Sequence, residues 1–448
     1  MYNILYRQYI DIRYGGKTME SNRNTIMAVL LIVGLIVGGG IGYYAAPSKT
    51  VEVEVPGETE TIVEEVPALS GTIPIGSLYA NTGHIDTSGV AAQIAIEEVN
   101  EYVEDLGLDL EFILIEECAE GDSTLALEKF QSMVAQGVKA MAGPNWSGQC
   151  QAIKGYADAH EVVVFSEGST SPVMALPDDY IFRLPVTDET QNSALAPAIY
   201  DMGVRHLIIV QRNDAWGDGN YETMMELFEA EGGTVEEHLR YDASKTEFSA
   251  EAAALNDAVT ELNDEYGAET VGIAVWSFEF SAIFAACEEY PALKNALWFG
   301  SDGFGRSTEF VDEHPNAYES DFLAMIMGTA KSSRFEAFEE KYKQRSGGRS
   351  AGTYTTHMYD IVWILCKATL EAGKYDGAVI KEVLPTVAEQ YWGACGWTKL
   401  NENGDRATAS YELWTVALNQ TSGVAGWYIA ATYDAASGSL NWILESPR

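Results

Sequence analysis

The stretch A-G-P-N-W-S-G-Q-C, residues 142–150, begins the region that decides the predicted fold. An apolar run at 138–142 predicts a short strand before it, and a helical pattern starts at Ser147. A second apolar run at 162–165 predicts another strand, which continues as S-E-G-S-T-S-P, residues 166–172. Two consecutive strands therefore end in loops rich in Gly, Ser and Thr that precede helices.

Loops at the carboxyl ends of parallel strands are where open α/β sheets bind ligands, because backbone N–H groups and hydroxyls are exposed there. Small polar donors of this kind suit a carboxylate better than a reacting centre. Two ordinary strand–helix turns with serine caps are the alternative interpretation for either loop alone. Finding both loops in consecutive units favours a binding site.

The chain after residue 71 alternates between apolar runs and amphipathic helical patterns. This alternation predicts parallel sheets with helical crossovers, followed after residue 410 by short strands separated by Asn, Gly and Ser turns. A single sheet would need about ten parallel strands, so two doubly wound α/β lobes are predicted instead. Residues 182–186 and 324–327 are the predicted crossings, and a ligand would bind in the cleft between the lobes.

The composition excludes several classes of function. The chain has 448 residues, a formal net charge of -40 and 47% hydrophobic residues. This charge argues against binding to nucleic acid or to anionic lipid. The hydrophobic content indicates a folded protein, and the net charge indicates an acidic surface that keeps it soluble.

An uncharged apolar segment at residues 26–46 predicts a transmembrane anchor, because it corresponds to about 31 Å of helix. Basic residues precede it and acidic residues follow it, which places residues 1–25 in the cytoplasm and the rest outside. Residues 47–70 are charged and contain Pro, and they predict an extended acidic stalk. A cleavable signal peptide is the alternative to an uncleaved anchor, and Met19 is an alternative start.

The order of these elements, the two loops and Gly300-Ser301-Asp302-Gly303 resemble the type I periplasmic binding-protein fold. More closely, residues 71–448 are similar to the leucine/isoleucine/valine-binding proteins of ABC importers. The unlipidated anchor and acidic stalk resemble those of archaeal binding proteins. The resemblance implies two doubly wound α/β lobes joined by a three-crossing hinge, with lobe 1 at 71–186 and 328–392 and lobe 2 at 187–327 and 393–448.

The resemblance implies that the two loops bind the polar groups of an amino acid. Ser147 corresponds to a serine that contacts the α-carboxylate. Gly168, Ser169 and Thr170 correspond to the second loop, which surrounds the α-amino and α-carboxyl groups. Donors of this kind are what the anionic end of a zwitterion needs.

The second lobe is expected to contribute an acid and two aromatic walls. Asp302 corresponds to the acid that pairs with the α-ammonium, and Trp216 and Trp276 correspond to aromatic residues that close over the ligand. Considered singly, the tryptophans are more typical of core or edge packing, and Asp302 beside glycine is more typical of a turn residue.

Two departures from the family alter the predicted side-chain pocket. The loop at residues 79–84 has no clear counterpart of the aromatic residue that the family places in the side-chain pocket. Trp146 stands where the family has a smaller residue. A polar or amide ligand, such as urea, is therefore an alternative to a branched-chain amino acid.

The family resemblance also implies a disulfide between Cys118 and Cys150. Cys366 and Cys395 form a further candidate pair, and Cys287 is predicted to be a buried free thiol. Asn419 is a predicted glycosylation site, since its sequon lies outside the predicted cleft.

Motifs for catalysis and metal binding are absent from the sequence. The six histidines have no metal-ligand spacing, and there is no nucleophile elbow or Walker loop. Asp122, before an apolar helical pattern, is predicted to be a helix cap. The prediction is a non-enzymatic protein with no catalytic residues, no metal and no cofactor.

The predicted function is capture of a solute outside the cell for an ABC importer. The ligand would be an amino acid of the branched-chain type, or an amide or related small polar solute. The protein would be held at the cell membrane by its N-terminal helix, with the binding domain on the extracellular side, and would deliver the ligand to an ABC permease. A ligand-sensing receptor ectodomain, or a surface protein of the same fold without a transport role, is the alternative.

Overall fold

The computed structural model describes residues 69–303, 305–317, 321–328, 330, 332–419 and 421–444. The predicted cytoplasmic N-terminus, the anchor and nearly all of the predicted stalk lie outside these described residues. Within the described ranges, no helix is both long enough and apolar enough to cross a membrane.

Strands and helices alternate along most of the described chain. The strands are β1 Gly71–Tyr79, β2 Leu110–Cys118, β3 Ala140–Ala142, β4 Val163–Ser166, β5 Ile181–Arg183, β6 His206–Arg212, β7 Thr234–Tyr241, β8 Val271–Trp276, β9 Leu297–Gly300, β10 Asp321–Met327, β11 Trp392–Gly393, β12 Gly396–Trp397, β13 Ser410–Leu418, β14 Ala425–Asp434 and β15 Ser439–Trp442. The helices are α1 Thr82–His84, α2 Val90–Asp105, α3 Ser123–Ala135, α4 Ser147–His160, α5 Asp188–Asp201, α6 Ala215–Glu231, α7 Ser249–Tyr266, α8 Phe280–Cys287, α9 Pro291–Lys294, α10 Thr308–Glu313, α11 Ser333–Arg345, α12 Thr353–Ala372 and α13 Gly377–Gln390.

The first lobe is built on a five-stranded sheet with the order β2-β1-β3-β4-β5, in which all pairs are parallel. All four residues of β4 are buried, as expected for a parallel strand with helices on both faces. The late helix α12 packs against β1, β3 and β4, so a distant segment of the chain completes this lobe. Asp122 caps α3 as predicted, because its Oδ1 accepts the Leu125 N–H at 2.7 Å.

The second lobe contains an eight-stranded sheet with the order β15-β14-β13-β10-β9-β8-β6-β7. Strands β6 to β10 are parallel to one another, and β13, β14 and β15 pair antiparallel at the other side. The predicted parallel units of this lobe and the strands near the end of the chain therefore form one mixed sheet. β7 was not predicted, because T-V-E-E-H-L-R-Y is a half-exposed edge strand with few apolar residues.

The chain passes between the two sheets three times: after β5, between β10 and α11, and between α13 and β13. The predicted crossing at 324–327 is wrong in detail, since these residues belong to β10 inside the second sheet. That crossing begins after Met327. The burial of β10 explains the error, because an apolar run does not reveal to which sheet it belongs.

A buried ion pair joins two of these passages. The Arg183 Nε and Nη2 donate to the Asp405 carboxylate at 2.5 and 2.8 Å, and Nη1 donates to the Ser171 carbonyl at 2.7 Å. Both charged side chains are only 1% exposed. The backbone adds a further link, because the Arg406 N–H donates to the Arg183 carbonyl at 2.9 Å. The hinge is therefore held by a desolvated bidentate pair.

The predicted disulfide between Cys118 and Cys150 is not formed, and all five cysteines are free. The buried Cys150 thiol instead donates to the Pro144 carbonyl, with 3.4 Å between S and O. Burial raises the pKa of Cys150 to about 12, so this thiol stays protonated. The Cys118 sulfur accepts the Glu120 N–H at 3.4 Å. The candidate pair elsewhere, Cys366 and Cys395, is not formed either.

Replacing Asp405 with Ala tests the hinge pair, because it leaves the Arg183 guanidinium buried without its counter-ion. We expect the free energy of unfolding to fall by about 3–5 kcal/mol, measured by denaturant unfolding. The control is Lys399→Ala, which removes an exposed partner of Glu389 and should cost about 1 kcal/mol or less. Similar losses for the two variants would contradict the role of burial.

Candidate ligand-binding site

A cavity of about 120 Å³ lies between the two lobes. Both lobes form its wall, since loops that follow strands of each sheet meet there. Its lining consists of His84, Asn145, Trp146, Ser147, Gly168, Thr170 and Tyr354 from the first lobe and Trp216, Phe278, Asp302 and Gly303 from the second.

Hydroxyl groups hold the two predicted loops together. The Ser166 hydroxyl donates to the Pro144 carbonyl at 2.5 Å, and the Ser169 hydroxyl lies 3.0 Å from the Ser147 oxygen. The Ser171 N–H also donates to the Ser147 oxygen, at 3.3 Å. These bonds fix the second loop against the start of α4, which makes the first-lobe wall a preorganised surface.

The approach of the first loop to β1 requires glycine at position 143. Gly143 has a φ of +85°, and a Cβ there would lie 2.3 Å from the Leu78 carbonyl oxygen. No other residue fits so close to a backbone oxygen in this conformation. The sequence G-P-N-W-S therefore sets the path of the loop before Ser147.

The first-lobe wall presents hydrogen-bond donors to the cavity. The Ser147 oxygen accepts the Ser171 N–H and lies within hydrogen-bond distance of the Ser169 hydroxyl, and Ser147 lines the cavity, where its hydroxyl can donate to a ligand. Thr170 Oγ1 and Asn145 Nδ2 are buried and make no hydrogen bond of ordinary geometry among the described residues, although Thr170 lies near enough to Asp188, and Asn145 near enough to Glu167, to lower the pKa of those acids. Buried polar atoms are rarely left without a partner, so these atoms are candidate contacts for an anionic group.

The second-lobe wall presents an unpartnered carboxylate oxygen. Asp302 follows β9, and its backbone N–H donates to Gln191 Oε1 at 2.9 Å. Its Oδ2 accepts a hydrogen bond from the Tyr354 hydroxyl of the first lobe. Its Oδ1 is buried and makes no hydrogen bond of ordinary geometry in the described part of the chain, although Gln191 lies near enough to lower the pKa of this carboxyl. This oxygen is suited to receive a hydrogen bond from an ammonium group.

A second acid, Asp188 at the start of α5, interacts with Asp302. Its carboxylate accepts hydrogen bonds from Gln191 Nε2 at 3.0 Å and Asn220 Nδ2 at 2.8 Å. Burial raises the pKa of both acids, and the charge of Asp302 raises the pKa of Asp188 further. Burial also lowers the pKa of His84 to about 4, so this side chain adds no positive charge at neutral pH. A cationic ligand group would stabilise this acidic wall.

Three stacked aromatic rings close one side of the cavity. Phe278 lies between Trp146 of the first lobe and Trp216 of the second, with ring centroids 5.0 and 4.5 Å apart and interplanar angles of 19° and 13°. The Arg212 guanidinium lies 4.5 Å from the Phe278 centroid and 5.3 Å from that of Trp146. These contacts give the cavity a rigid apolar wall that spans both lobes.

The structure brings most of the predicted site residues together. Five of them line the cavity: Ser147, Gly168, Thr170, Trp216 and Asp302. Ser169 is buried against Ser147 and supports the wall. Their proposed roles toward a ligand remain predictions, as does glycosylation of the exposed Asn419.

Trp276 requires a correction, because it does not line the cavity. Its ring is fully buried in the core of the second lobe, and Phe278, two residues later, provides the aromatic wall. Trp276 still belongs to β8, whereas Phe278 follows the end of that strand and faces the cavity. The position of a strand end, which sequence analysis places only approximately, decides between the two.

Tyr354 and Asp188 were also not predicted. Tyr354 belongs to α12, far along the chain from every loop of the site, and nothing in its sequence context distinguishes it from a core aromatic residue. Asp188 starts a helix, where an acid is expected for helix capping alone. Within the described residues, no group of three or more His, Cys, Asp or Glu side chains is arranged to hold a metal ion.

The family model for the receptor family ligand binding region matches residues 87–419, which is most of the chain. The chain belongs to this family. A relative of this receptor-family chain is an uncharacterized protein of Methanocaldococcus jannaschii, 27% identical over 405 residues that cover 86% of this chain and 94% of the relative.

The receptor-family chain is also similar in fold to solved solute-binding proteins. A leucine binding protein from Thermotoga maritima matches with a TM-score of 0.65 and 18% identity, over 83% of this chain and 99% of its own. A branched-chain amino acid transporter substrate binding protein from Streptococcus pneumoniae, in complex with isoleucine, matches with a TM-score of 0.61 and 19% identity, over 80% and 99%. The predicted two-lobe type I periplasmic binding-protein fold is confirmed.

The second loop contains a buried acid, Glu167. Glu167 precedes Gly168, and its carboxylate oxygens make no hydrogen bond of ordinary geometry among the described residues, although the neighbouring Asn145 side chain opposes the rise of its pKa. Burial raises the pKa of Glu167 to about 8, so the folded protein holds this side chain mainly protonated at neutral pH.

Glu167→Gln should change how stability depends on pH. The folded protein keeps the Glu167 proton up to about pH 8, whereas the unfolded chain releases it near pH 4.5. Rising pH between these values therefore favours the unfolded wild-type chain. We expect the Tm of E167Q, relative to wild type, to increase from pH 5 to pH 8. The exposed Glu128→Gln is the control substitution, and a Tm difference between E167Q and wild type that stays constant across this pH range would refute the assignment.

Gly168→Ala should destabilise the second loop. A Cβ at Gly168 would lie 2.3 Å from Nδ2 of the buried Asn145, which has little room to move. We expect a loss of about 1–3 kcal/mol, seen as a lower Tm. Gly155→Ala is the matched control, since Gly155 is exposed in α4 with open space around it and alanine should stabilise the helix. A Tm for G168A at or above that of wild type would contradict the close packing.

Proposed function

We propose that this protein binds a small solute that carries both an ammonium group and a carboxylate, such as an amino acid, in the interlobe cavity. The observation that carries the proposal is the set of unpartnered polar atoms around one cavity. Donors of Ser147, Thr170 and Asn145 would bind the carboxylate, and the free Asp302 oxygen would bind the ammonium group. A zwitterion complements both walls at once.

Burial makes these contacts energetically effective. Ser147 is 2% exposed, Thr170 1% and Asp302 9%. Charge-assisted hydrogen bonds are stronger where water is excluded, because the effective dielectric constant is lower. Since the donors and the acid belong to different lobes, a bound zwitterion would link the lobes and favour the closed form.

Delivery of this solute to an ABC permease is the second part of the proposal. Support comes from the solved neighbours, which include a Desulfitobacterium hafniense ABC transporter substrate-binding protein in complex with leucine. The anchor predicted at 26–46 and the stalk predicted at 47–70 would keep the binding domain at the outer side of the cell membrane. A tethered binding domain stays close to its permease, which raises its effective concentration there.

A ligand-sensing ectodomain is the second candidate, and the description of the matched family as a receptor ligand-binding region favours it. The two candidates differ in the step after ligand binding. Loss of ligand uptake in cells that lack this protein would support transport. Normal uptake, combined with a lost cellular response to the ligand, would support sensing.

Asp302→Asn tests the ammonium contact, because it removes the charge and keeps the size of the side chain. We expect amino-acid binding to the purified full-length chain to weaken by about 100-fold or more, equivalent to about 3 kcal/mol, in isothermal titration calorimetry. Asp257→Asn is the matched control, since Asp257 is exposed on α7. It should bind like the wild type.

Two results would contradict the proposed ammonium contact. One is unchanged amino-acid affinity in D302N. The other is equally tight wild-type binding of the corresponding carboxylic acid without its amino group, because such a ligand would leave the Asp302 oxygen without a partner.

A further inference from the structure

The cavity is small for a branched-chain amino acid. A cavity of about 150 Å³ accommodates one benzene molecule. By the same measure, the cavity of about 120 Å³ has room for about five non-hydrogen atoms, close to the number in glycine and one fewer than in alanine. Glycine and alanine are of this size, whereas leucine, isoleucine and valine carry an additional branched chain.

Direct contacts between the lobes prevent the cavity from widening without cost. The Ser171 hydroxyl of the first lobe donates to the Ala215 carbonyl of the second at 2.6 Å. The backbones also approach closely, since a Cβ at Gly219 would lie 2.8 Å from Ser171 Oγ. A larger ligand would hold the lobes apart and would lose these contacts.

Phe278 lines the cavity, and its ring is the middle member of the aromatic stack that bounds it. Its ring lies between the two tryptophans at stacking distance, so Trp146 and Trp216 hold it from both sides. Trp216 is itself pressed against Gly303, where a Cβ would lie 2.7 Å from the indole. Trp216 is therefore closely packed on the side of the second lobe and has little room to move away from Phe278.

The Phe278 ring also packs against the guanidinium of Arg212, whose position is fixed by acidic partners. Arg212, 4.5 Å from the ring centroid, donates to Asp214 at 2.8 Å and to Glu279. Glu279 in turn accepts a hydrogen bond from the Tyr241 hydroxyl at 2.7 Å. Moving the ring aside would separate it from an anchored guanidinium, so Phe278 forms a rigid wall.

We infer that Phe278 is the specificity-determining residue of this site and that it restricts the ligand to amino acids with the smallest side chains, glycine and alanine. This inference rests on the proposed binding of an ammonium carboxylate. The two polar walls recognise the groups that all amino acids share, and Phe278, backed by Trp146, excludes side chains of leucine size.

The test compares ligand size across variants of the full-length chain. Isothermal titration calorimetry would measure glycine, alanine, valine, leucine and urea against wild type, Phe278→Ala and Phe278→Leu. Phe335→Ala is the matched control, since Phe335 is a partly buried phenylalanine on α11 outside the cavity lining. Circular dichroism would establish that each variant is folded, and the leucine variant keeps apolar packing if the alanine variant does not fold.

The expected result is a reversal of preference. Wild type and F335A should bind glycine or alanine and should bind leucine about 100-fold more weakly or worse, since each extra methylene in a closed pocket costs about 10-fold or more. F278A should bind leucine at least about 10-fold more tightly than wild type does, and F278L should lie between them.

Two outcomes would overturn the inference, and they are distinguishable. Wild-type binding of leucine as tight as that of alanine, with no gain in F278A, would refute the role of Phe278 and leave the proposed function intact. Binding of urea alone, or of no amino acid by any folded variant, would refute the proposed function and the inference together.

Discussion

Direct contact between the two lobes around the cavity is the constraint on which the rest of the site depends. The Ser171 hydroxyl, the Tyr354 hydroxyl and the Trp146 ring of the first lobe all touch residues of the second. These contacts exclude water from the polar atoms between them. The burial that raises the pKa of the acids is thus the same burial that would strengthen charged contacts to a ligand.

The acids of the second-lobe wall are held by neutral donors. Amide groups of Gln191 and Asn220 bond to Asp188, and the Tyr354 hydroxyl bonds to Asp302. By contrast, Arg183 in the hinge is fully matched by Asp405. A folded protein that leaves one buried carboxylate oxygen without a partner while matching another acid so closely has sacrificed some stability where a ligand can restore it. This contrast supports the proposed ammonium ligand beside Asp302.

The sequence was sufficient to predict the two-lobe architecture and five of the residues that line the cavity. The loops at Ser147 and Thr170 were recognisable because Gly, Ser and Thr directly follow buried apolar strands. Trp276 was placed wrongly, since the true end of β8 decides which aromatic residue faces the cleft. The Cys118–Cys150 disulfide was inferred by resemblance, whereas in the structure both cysteines are free and the Cys150 thiol donates to the Pro144 carbonyl.

By itself, the sequence determined the properties that depend on local pattern: the alternation of strands and helices, the polar loops at strand ends, the acidic composition and the lack of a catalytic motif. Only the tertiary structure decided which side chains meet. Tyr354 reaches Asp302 across the cleft, and Phe278 is enclosed by tryptophans that belong to different lobes. The physical reason is that periodicity reports whether a residue is buried, whereas the size and polarity of a cavity depend on how distant segments pack against one another.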